Sequence, residues 1–353
     1  MGLSVFWFIA IAVLWTGFFV LEGFDFGVGM LHGFIGRDDA ERRLVINTIG
    51  PLWDGNEVWL IVAAAGMFAA FPGWYATMFS GFYVAIVLLL VSLIIRGVSF
   101  EYRGKRDSPR WRRTWDVLMA LGSLLAPFLI GLTLANLLHG VPIGSNQEFT
   151  GTFLDLLNPY SLFFGLTLVL ICIAHGATFI SLKTTGPVRE RSGSVARSAA
   201  PIAALAVLVF AVWTQVINHG VVPGLFPVAA VLAILAAARL VRDRREGWAF
   251  GLTTFAMAAT VLTIFMDLYP RVMVSSTNAA YSLTVANTSS SPYALKVMTI
   301  VAVIFLPLVL LYQGWTYHVF RKRVSMSDLE EQGTTPAREA VPPAGPPRAS
   351  TAG

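Results

Sequence analysis

Four carboxylates lie inside two strongly apolar segments near the start of the chain. Glu22 and Asp25 are three residues apart in the first segment, and Asp54 and Glu57 repeat that spacing in the second. On a helix, residues three apart share a face, so each pair can present two carboxylates to one neighbour. An ionisable group within a membrane span costs at least about 2.5–3.5 kcal/mol, so it normally faces protein or water and marks a path for ions or protons. We therefore expect these acids to form a proton pathway.

Three further residues bear on this pathway. Arg96, followed five residues later by Glu101, is a candidate ion-pair partner that could hold one of the acids ionised. Trp59 is expected to pack in the core or to line a route through it. A purely structural alternative stays open, in which the acids lie at helix ends and Asp54 complements the dipole of a helix that begins at Pro51.

Composition identifies the environment of these acids. The chain has 353 residues, of which 56% are hydrophobic and 13% charged, whereas charged residues make up about 25% of a typical soluble domain. Mean hydropathy is +0.69. These values indicate an all-α integral membrane protein. The pI near 9.5 does not indicate a nucleic-acid-binding protein, because the basic residues fall between the apolar segments instead of clustering on a soluble face.

Nine segments are long and apolar enough to be candidate membrane spans, taking about 20 residues as the length that crosses the bilayer. Their approximate bounds are 5–34, 44–71, 76–96, 115–138, 159–182, 199–217, 224–241, 247–268 and 296–318. They form one transmembrane domain over residues 1–323. Residues 324–353, rich in Pro, Ala, Gly and acidic residues, are expected to be a disordered cytoplasmic tail.

Basic residues occupy every second connection, which predicts that those connections are cytoplasmic. The N-terminus is then outside and the C-terminus inside. Asp25 precedes Arg37 by twelve residues, or about 18 Å of helix, so we expect all four acids in the cytoplasmic half of the membrane. The outer connection 269–295 is long and polar, and it is a candidate for packing against a partner.

No cofactor is expected to bind this chain. The sequence has five histidines and one cysteine, and only His175 lies well inside a predicted span, whereas a haem bundle commonly uses histidines that face each other at similar depth. A lone buried histidine is more often a hydrogen-bonded core residue than a ligand. Because Cys172 is the single cysteine in the sequence, a four-cysteine metal site within this chain is excluded. No nucleotide-binding or metalloprotease motif is present.

The sequence resembles subunit II of cytochrome bd quinol oxidase. The resemblance is carried by Gly23 to Leu31, Glu41-Arg42-Arg43 and Trp53 to Leu60, with further matches at Phe79 to Tyr83, Leu156 to Pro159 and Ser275 to Thr277. It covers nearly all of residues 5–320. Any one of these matches would be weak by itself, and the combination is specific.

The resemblance implies nine transmembrane helices, expected as two four-helix bundles plus one extra helix, in a bacterial cytoplasmic membrane. It implies a heterodimer with a haem-bearing subunit I that carries haems b and d and the quinol site and reduces dioxygen to water. This chain would be free of haem, stabilise subunit I and supply Asp54 to a proton route from the cytoplasm. Trp59 would line an oxygen route. Small accessory subunits, membrane lipid and a structural quinone are further possible partners.

Two alternatives stay open at this stage. The same acids could couple proton movement to a solute in a secondary transporter, although Pro51 has no obvious equivalent five spans later. The chain could also be a membrane scaffold in which every acid is neutralised by a helix partner. A transporter should be active alone, whereas an oxidase subunit should co-purify with a haem protein.

Overall fold

The computed structural model describes residues 2–218 and 225–328, and within these ranges the fold is almost entirely helical. The α-helices are α1 Leu3–Ile35, α2 Asp39–Asn47, α3 Trp53–Ala70, α4 Pro72–Gly81, α5 Tyr83–Tyr102, α6 Pro109–His139, α7 Pro159–Lys183, α8 Gly186–Asn218, α9 Leu225–Arg242, α10 Glu246–Leu268, α11 Val285–Thr288 and α12 Pro292–Val319. Two short antiparallel strands, β1 Arg271–Met273 and β2 Leu283–Thr284, form the sheet. His219 and the predicted connection after Asn218 lie outside the described residues, as does the predicted tail from residue 329.

Eight helices in the described ranges are long and apolar enough to cross a membrane: α1, α5 to α10 and α12. The third predicted span, 76–96, begins within α4 and crosses the break at Phe82 into α5. The second predicted span, 44–71, has no counterpart among these eight helices. It is not one helix, because α2 ends at Asn47, residues 48–52 form a turn, and α3 begins at Trp53. Pro51 lacks the N–H group that a continuous helix would need. Asp54, Asn56 and Glu57 also make the first turns of α3 polar.

Three long helices begin in the same way, with a polar cap followed by proline. Ser108, Asn158 and Ser291 each precede a proline that takes the first helical position of α6, α7 and α12. Each cap side chain accepts a hydrogen bond from the backbone N–H three residues on, as in the 2.9 Å bond from Ser161 N to Asn158 Oδ1. Proline needs no hydrogen-bond partner at this position, so the local sequence fixes where these helices start.

Helix α1 is the central element. It packs against α3, α6, α7 and α10, and its side chains from Phe18 to Met30 are almost all buried. Helices α7 to α10 pack on one another in sequence, and α10 returns to α7. Helix α12 packs on α1 and α3, and Leu295 is its one fully buried residue. Almost the whole apolar surface of α12 is therefore available to lipid or to a partner.

Glycines allow α1 and α7 to approach closely. A Cβ atom added at Gly27 would overlap the carbonyl oxygen of Cys172 and would lie 2.7 Å from Cα of Gly176. A Cβ atom at Gly176 would in turn lie 2.5 Å from Cα of Gly27. In membranes, small residues of this kind let two helix backbones pack directly against each other. This contact holds the α1 segment that carries Glu22 and Asp25.

We expect Gly27→Ala to destabilise the protein, because the added methyl group must push α1 away from α7. Overpacking of this kind typically costs about 1–3 kcal/mol. Gly33→Ala is the matched control, since nothing lies within 4 Å of a Cβ atom at Gly33 on the same helix. Thermal unfolding of the purified complex should show a lower midpoint for Gly27→Ala than for Gly33→Ala. Equal midpoints would show that α1 and α7 do not depend on this contact.

The basic connections meet at one end of the molecule, which we call the basic end (residues 36–52, 103–116, 183–197, 239–246 and 320–324). Asp116 is its hub: it lies 2.5 Å from Arg103 Nε and 3.3 Å from both Arg42 Nη1 and His32 Nε2. Six further ion pairs join these connections: Arg103 and Arg112 with Asp39, Arg191 with Glu41, Arg189 and Arg323 with Glu246, and Arg244 with Glu190. Val324, predicted as the first residue of the tail, donates its N–H to Lys183 O at 2.7 Å.

The opposite end is closed by two connections of the same chain. The segment after α6 pairs with the segment after α10, through a bridge between Val141 and Ser275 and a 2.5 Å bond from Thr277 Oγ1 to Ile143 O. Ser290 Oγ also donates to Ala69 O at 2.6 Å, which ties the start of α12 to the end of α3. The connection 269–295, a candidate for contact with a partner, thus makes many of its contacts within this chain.

Candidate functional site

Three helices bring a cluster of charged side chains together in the interior. Glu22 and Asp25 on α1 are both 0% exposed, as is Arg96 on α5, and Glu57 comes from the second turn of α3. We call Glu22, Asp25, Glu57 and Arg96 the carboxylate cluster. Two helical turns of α1 and the polar start of α3 therefore supply all three acids, and α5 supplies the cation between them.

Arg96 contacts one acid from α1 and one from α3. Its Nη1 atom lies 2.6 Å from Glu22 Oε1 and donates a hydrogen bond of 3.0 Å to Glu57 Oε2. Aromatic rings surround the guanidinium group, whose carbon atom lies 5.0 Å from the ring centre of Phe26 and 5.3 Å from that of Phe100. Such rings attract a cation and exclude solvent. Arg96 is thus held in place while it compensates the charge of Glu22 and Glu57.

Several polar atoms of the cluster have spare hydrogen-bonding capacity. Among the described residues, neither oxygen of Glu22 makes a geometrically acceptable hydrogen bond, and the same is true of Asp25 Oδ1 and of Arg96 Nε and Nη2. Buried polar groups are nearly always hydrogen-bonded, and exceptions often mark a functional role. Carboxylate oxygens that are not committed to a donor can accept a proton and release it again.

Asn56 connects Asp25 to the last helix. Its Nδ2 atom donates to Asp25 Oδ2 at 2.7 Å and to Leu21 O at 3.2 Å, and its Oδ1 atom accepts from Gln313 Nε2 at 2.8 Å and Tyr317 OH at 3.0 Å. The amide is therefore fully used, and it fixes one oxygen of Asp25. Sequence reasoning did not single out these contacts. The available signal was a pair of polar residues, Gln313 and Tyr317, on one face of an otherwise apolar helix.

The remaining predicted residues lie outside the cluster. Asp54 is exposed in the first turn of α3, one turn before Glu57, at the start of a helix face that continues with the exposed side chains Val58 and Ile61. Glu101 is exposed and makes no ion pair within the described residues. Trp59 is buried against Gly17 of α1. The structure therefore brings together three of the four acids and Arg96, with Asp54 at the surface beside them.

The cluster contains no histidine or cysteine. His175 is fully buried between α1 and α10, where Nδ1 lies 2.7 Å from Thr253 Oγ1 and the ring stacks on Phe250. The other described histidines contact Asp116, Tyr160 and Arg321. Within residues 2–218 and 225–328, no group of three or more His, Cys, Asp or Glu side chains is arranged to hold a metal ion.

Comparison with known sequences places this chain in a family. The family model for cytochrome bd terminal oxidase subunit II matches residues 3–320. Cytochrome bd ubiquinol oxidase subunit 2 of Bacillus subtilis is 47% identical over 324 residues, which cover 90% of this chain and 96% of that protein. Cytochrome bd-I ubiquinol oxidase subunit 2 of Escherichia coli is 37% identical over 362 residues, covering 92% of this chain and 96% of that protein.

Comparison with solved structures gives the same fold. A chain of the bd oxidase from Geobacillus thermodenitrificans matches with a TM-score of 0.71 at 20% sequence identity, covering 89% of this chain and 99% of that chain. At this identity the likeness supports the architecture alone. Together with the family match, which spans every helix of the carboxylate cluster, it leads to one conclusion: the chain belongs to the cytochrome bd terminal oxidase subunit II family.

Proposed function

We propose that this chain stabilises a haem-bearing partner subunit in the membrane and supplies it with protons through the carboxylate cluster. Membership of the family makes the chain a subunit of a terminal quinol oxidase, and a multi-pass membrane protein of bacteria. It also implies a partner, since the relatives are second subunits of an oxidase. The proton-coupled transporter considered from the sequence is not favoured by these comparisons.

The division of labour between the two subunits is part of the proposal. Haems b and d and the quinol site would belong to subunit I, where quinol is oxidised and dioxygen is reduced to water. Family membership supports that division, because the relatives are second subunits of such oxidases. Haem would supply electron transfer and oxygen chemistry when bound by the partner. This chain would contribute helix packing and proton transfer.

The proton pathway would begin at Asp54 and continue inwards. Asp54 lies one helical turn before Glu57, whose carboxylate shares Arg96 with Glu22, and Asp25 follows one turn later on α1. The observation that carries the proposal is the full burial of Glu22 and Asp25, with two carboxylate oxygens, Glu22 Oε2 and Asp25 Oδ1, that accept no hydrogen bond from the described residues. Keeping two acids in an apolar interior costs free energy, so ionisable residues at such positions usually have a function. Arg96 would compensate the negative charge left whenever a proton moves on.

The finer topology is also proposed. Helix α3 has 18 residues, or about 27 Å at 1.5 Å per residue, so it would be the ninth span despite its polar start. Helices α1, α3, α5 and α6 would form one four-helix bundle, α7 to α10 the second, and α12 the extra helix. The basic end would be cytoplasmic by the positive-inside rule. The chain after Val324, whose N–H is hydrogen-bonded to Lys183 O, would continue as a disordered cytoplasmic tail. Trp59 would line an oxygen route.

We expect Asp54→Asn to leave the complex assembled and its haems spectroscopically present, and to lower quinol-driven oxygen uptake about tenfold or more, because asparagine cannot carry a proton. The measurement is oxygen consumption by the purified complex at saturating quinol. Asp107→Asn is the matched control, since Asp107 is an exposed surface residue whose side chain is 98% exposed. Unchanged uptake in Asp54→Asn would remove Asp54 from the pathway, and loss of assembly would indicate the scaffold role instead.

A further inference from the structure

A cavity of about 350 Å³ opens at the basic end, and none of the residues of the carboxylate cluster lines it. It lies where the ends of α7, α8, α9 and α10 meet. Its walls combine four arginines with two glutamates and small residues at the base. The lining residues are Ser181, Arg189, Glu190, Gly193, Arg197, Val241, Arg242, Arg244 and Glu246.

The charges around this cavity do not balance. Glu246 accepts two hydrogen bonds from Arg189, at 2.8 and 2.5 Å, and also lies 3.5 Å from Arg323 Nη2. Glu190 pairs with Arg244 at 3.1 Å. Both carboxylates are thus neutralised, whereas Arg197 and Arg242 make no ion pair with any described residue. The cavity therefore keeps an excess of positive charge that a bound anion would compensate.

The base of the cavity offers space and a hydrogen-bond donor. A Cβ atom added at Gly193 would lie 3.6 Å from Arg197 Nη1, so the Arg197 side chain folds back over Gly193 towards the cavity. The same Cβ position lies 3.4 Å from Ser181 Oγ. Ser181 is only 2% exposed, and it lines the cavity. A serine hydroxyl group thus lies at the cavity wall beside two guanidinium groups that make no ion pair with the described residues.

We propose that this cavity binds the phosphate group of an anionic ligand. Guanidinium groups match phosphate oxygens in geometry and charge, and a hydroxyl group adds a further donor. The ligand could be an anionic phospholipid, because basic pockets between transmembrane helices on the cytoplasmic side bind such headgroups. A soluble phosphate compound would use the same donors. The volume is within the usual range of small-molecule sites.

The test uses the complete purified complex and two variants of the cavity. Arg197→Gln/Arg242→Gln removes the unpaired charges, and Gly193→Leu fills the space from a position where Cβ itself makes only ordinary contacts. Arg106→Gln/Arg110→Gln is the control, because it removes the same charge from exposed positions of the basic end. Mass spectrometry measures phospholipid retained after detergent washing. Thermal unfolding of the delipidated complex, with and without inorganic phosphate, measures binding of a soluble anion.

We expect Arg197→Gln/Arg242→Gln to lose retained phosphatidylglycerol or cardiolipin relative to wild type and control, by about fivefold for each arginine removed, the scale typical of one basic residue at a membrane surface. Gly193→Leu should also retain less than wild type and control, because its side chain occupies the cavity. If retention is unchanged but inorganic phosphate raises the unfolding midpoint of wild type and control and not of the cavity variants, the ligand is a soluble phosphate compound. Equal retention together with equal phosphate responses in all four proteins would overturn the proposal. Quinol oxidase activity does not enter this test, so its result is independent of the proton pathway.

Discussion

Glu22→Gln is expected to reduce quinol-driven oxygen uptake about tenfold or more, a loss typical of removing a side chain that transfers protons. Glutamine keeps the size and shape of the side chain but cannot bind and release a proton. Glu22 is 0% exposed and lies 2.6 Å from Arg96, so in the proposed pathway it stands between Glu57 and Asp25. Oxygen consumption by the purified complex measures the effect, with haem absorption as the check on assembly.

Glu101→Gln is the matched control for this prediction. It makes the same chemical change on α5, five residues after Arg96, at an exposed position without an ion pair among the described residues. Its oxygen uptake should equal that of wild type. Normal uptake by Glu22→Gln would exclude Glu22 from the pathway, whereas an equal loss in both variants would point to a general effect of lost negative charge.

Arg96→Met is expected to have the largest effect on stability. Methionine fills much of the same volume between Phe26 and Phe100, but it leaves Glu22 and Glu57 without their cation. Removing one partner of a buried ion pair typically costs about 3–5 kcal/mol, because the remaining charge stays buried and unpaired. The yield of the assembled complex and its thermal unfolding midpoint should both fall.

A second substitution distinguishes lost charge compensation from lost packing. In Arg96→Met/Glu22→Gln, the uncompensated charge at Glu22 is also removed, so much of the lost stability should return even though the double variant stays inactive. If the double variant unfolds at the same temperature as Arg96→Met, the ion pair is not what stabilises this region. Lost packing around Phe26 and Phe100 would then be the better explanation.

Sequence reasoning found the acids because carboxylates three residues apart within apolar segments have few structural explanations. The spacing did not show which of Asp54 and Glu57 contacts Arg96 and which is exposed. Residues three apart on a helix differ by about 60° in direction, and at the edge of a packed face this is enough to place the half-buried Glu57 against Arg96 and leave Asp54 exposed. Which of the two points inwards depends on the packing of α1 and α5, and no local pattern contains that information.

The prediction of one continuous second span, 44–71, was wrong for a local reason. Residues on both sides of Pro51 are apolar enough to count as one segment, but proline and the polar residues after it divide that segment into α2 and α3. The contacts of Asn56 with Gln313 and Tyr317 were unpredictable for the opposite reason. They join residues more than 250 positions apart in the sequence. Their meeting follows from the placement of α12 against α3, which only the folded chain determines.

Proton uptake during oxygen reduction tests the central claim most directly. The complex is placed in liposomes with a pH-sensitive dye on the side of the basic end, and it is mixed with oxygen after reduction by quinol. Wild type should take up protons from that side as oxygen is consumed. In Glu22→Gln, proton uptake and oxygen consumption should slow together while quinol still reduces the haems at the normal rate. Proton uptake at the wild-type rate in this variant would contradict a pathway through the buried acids of this chain.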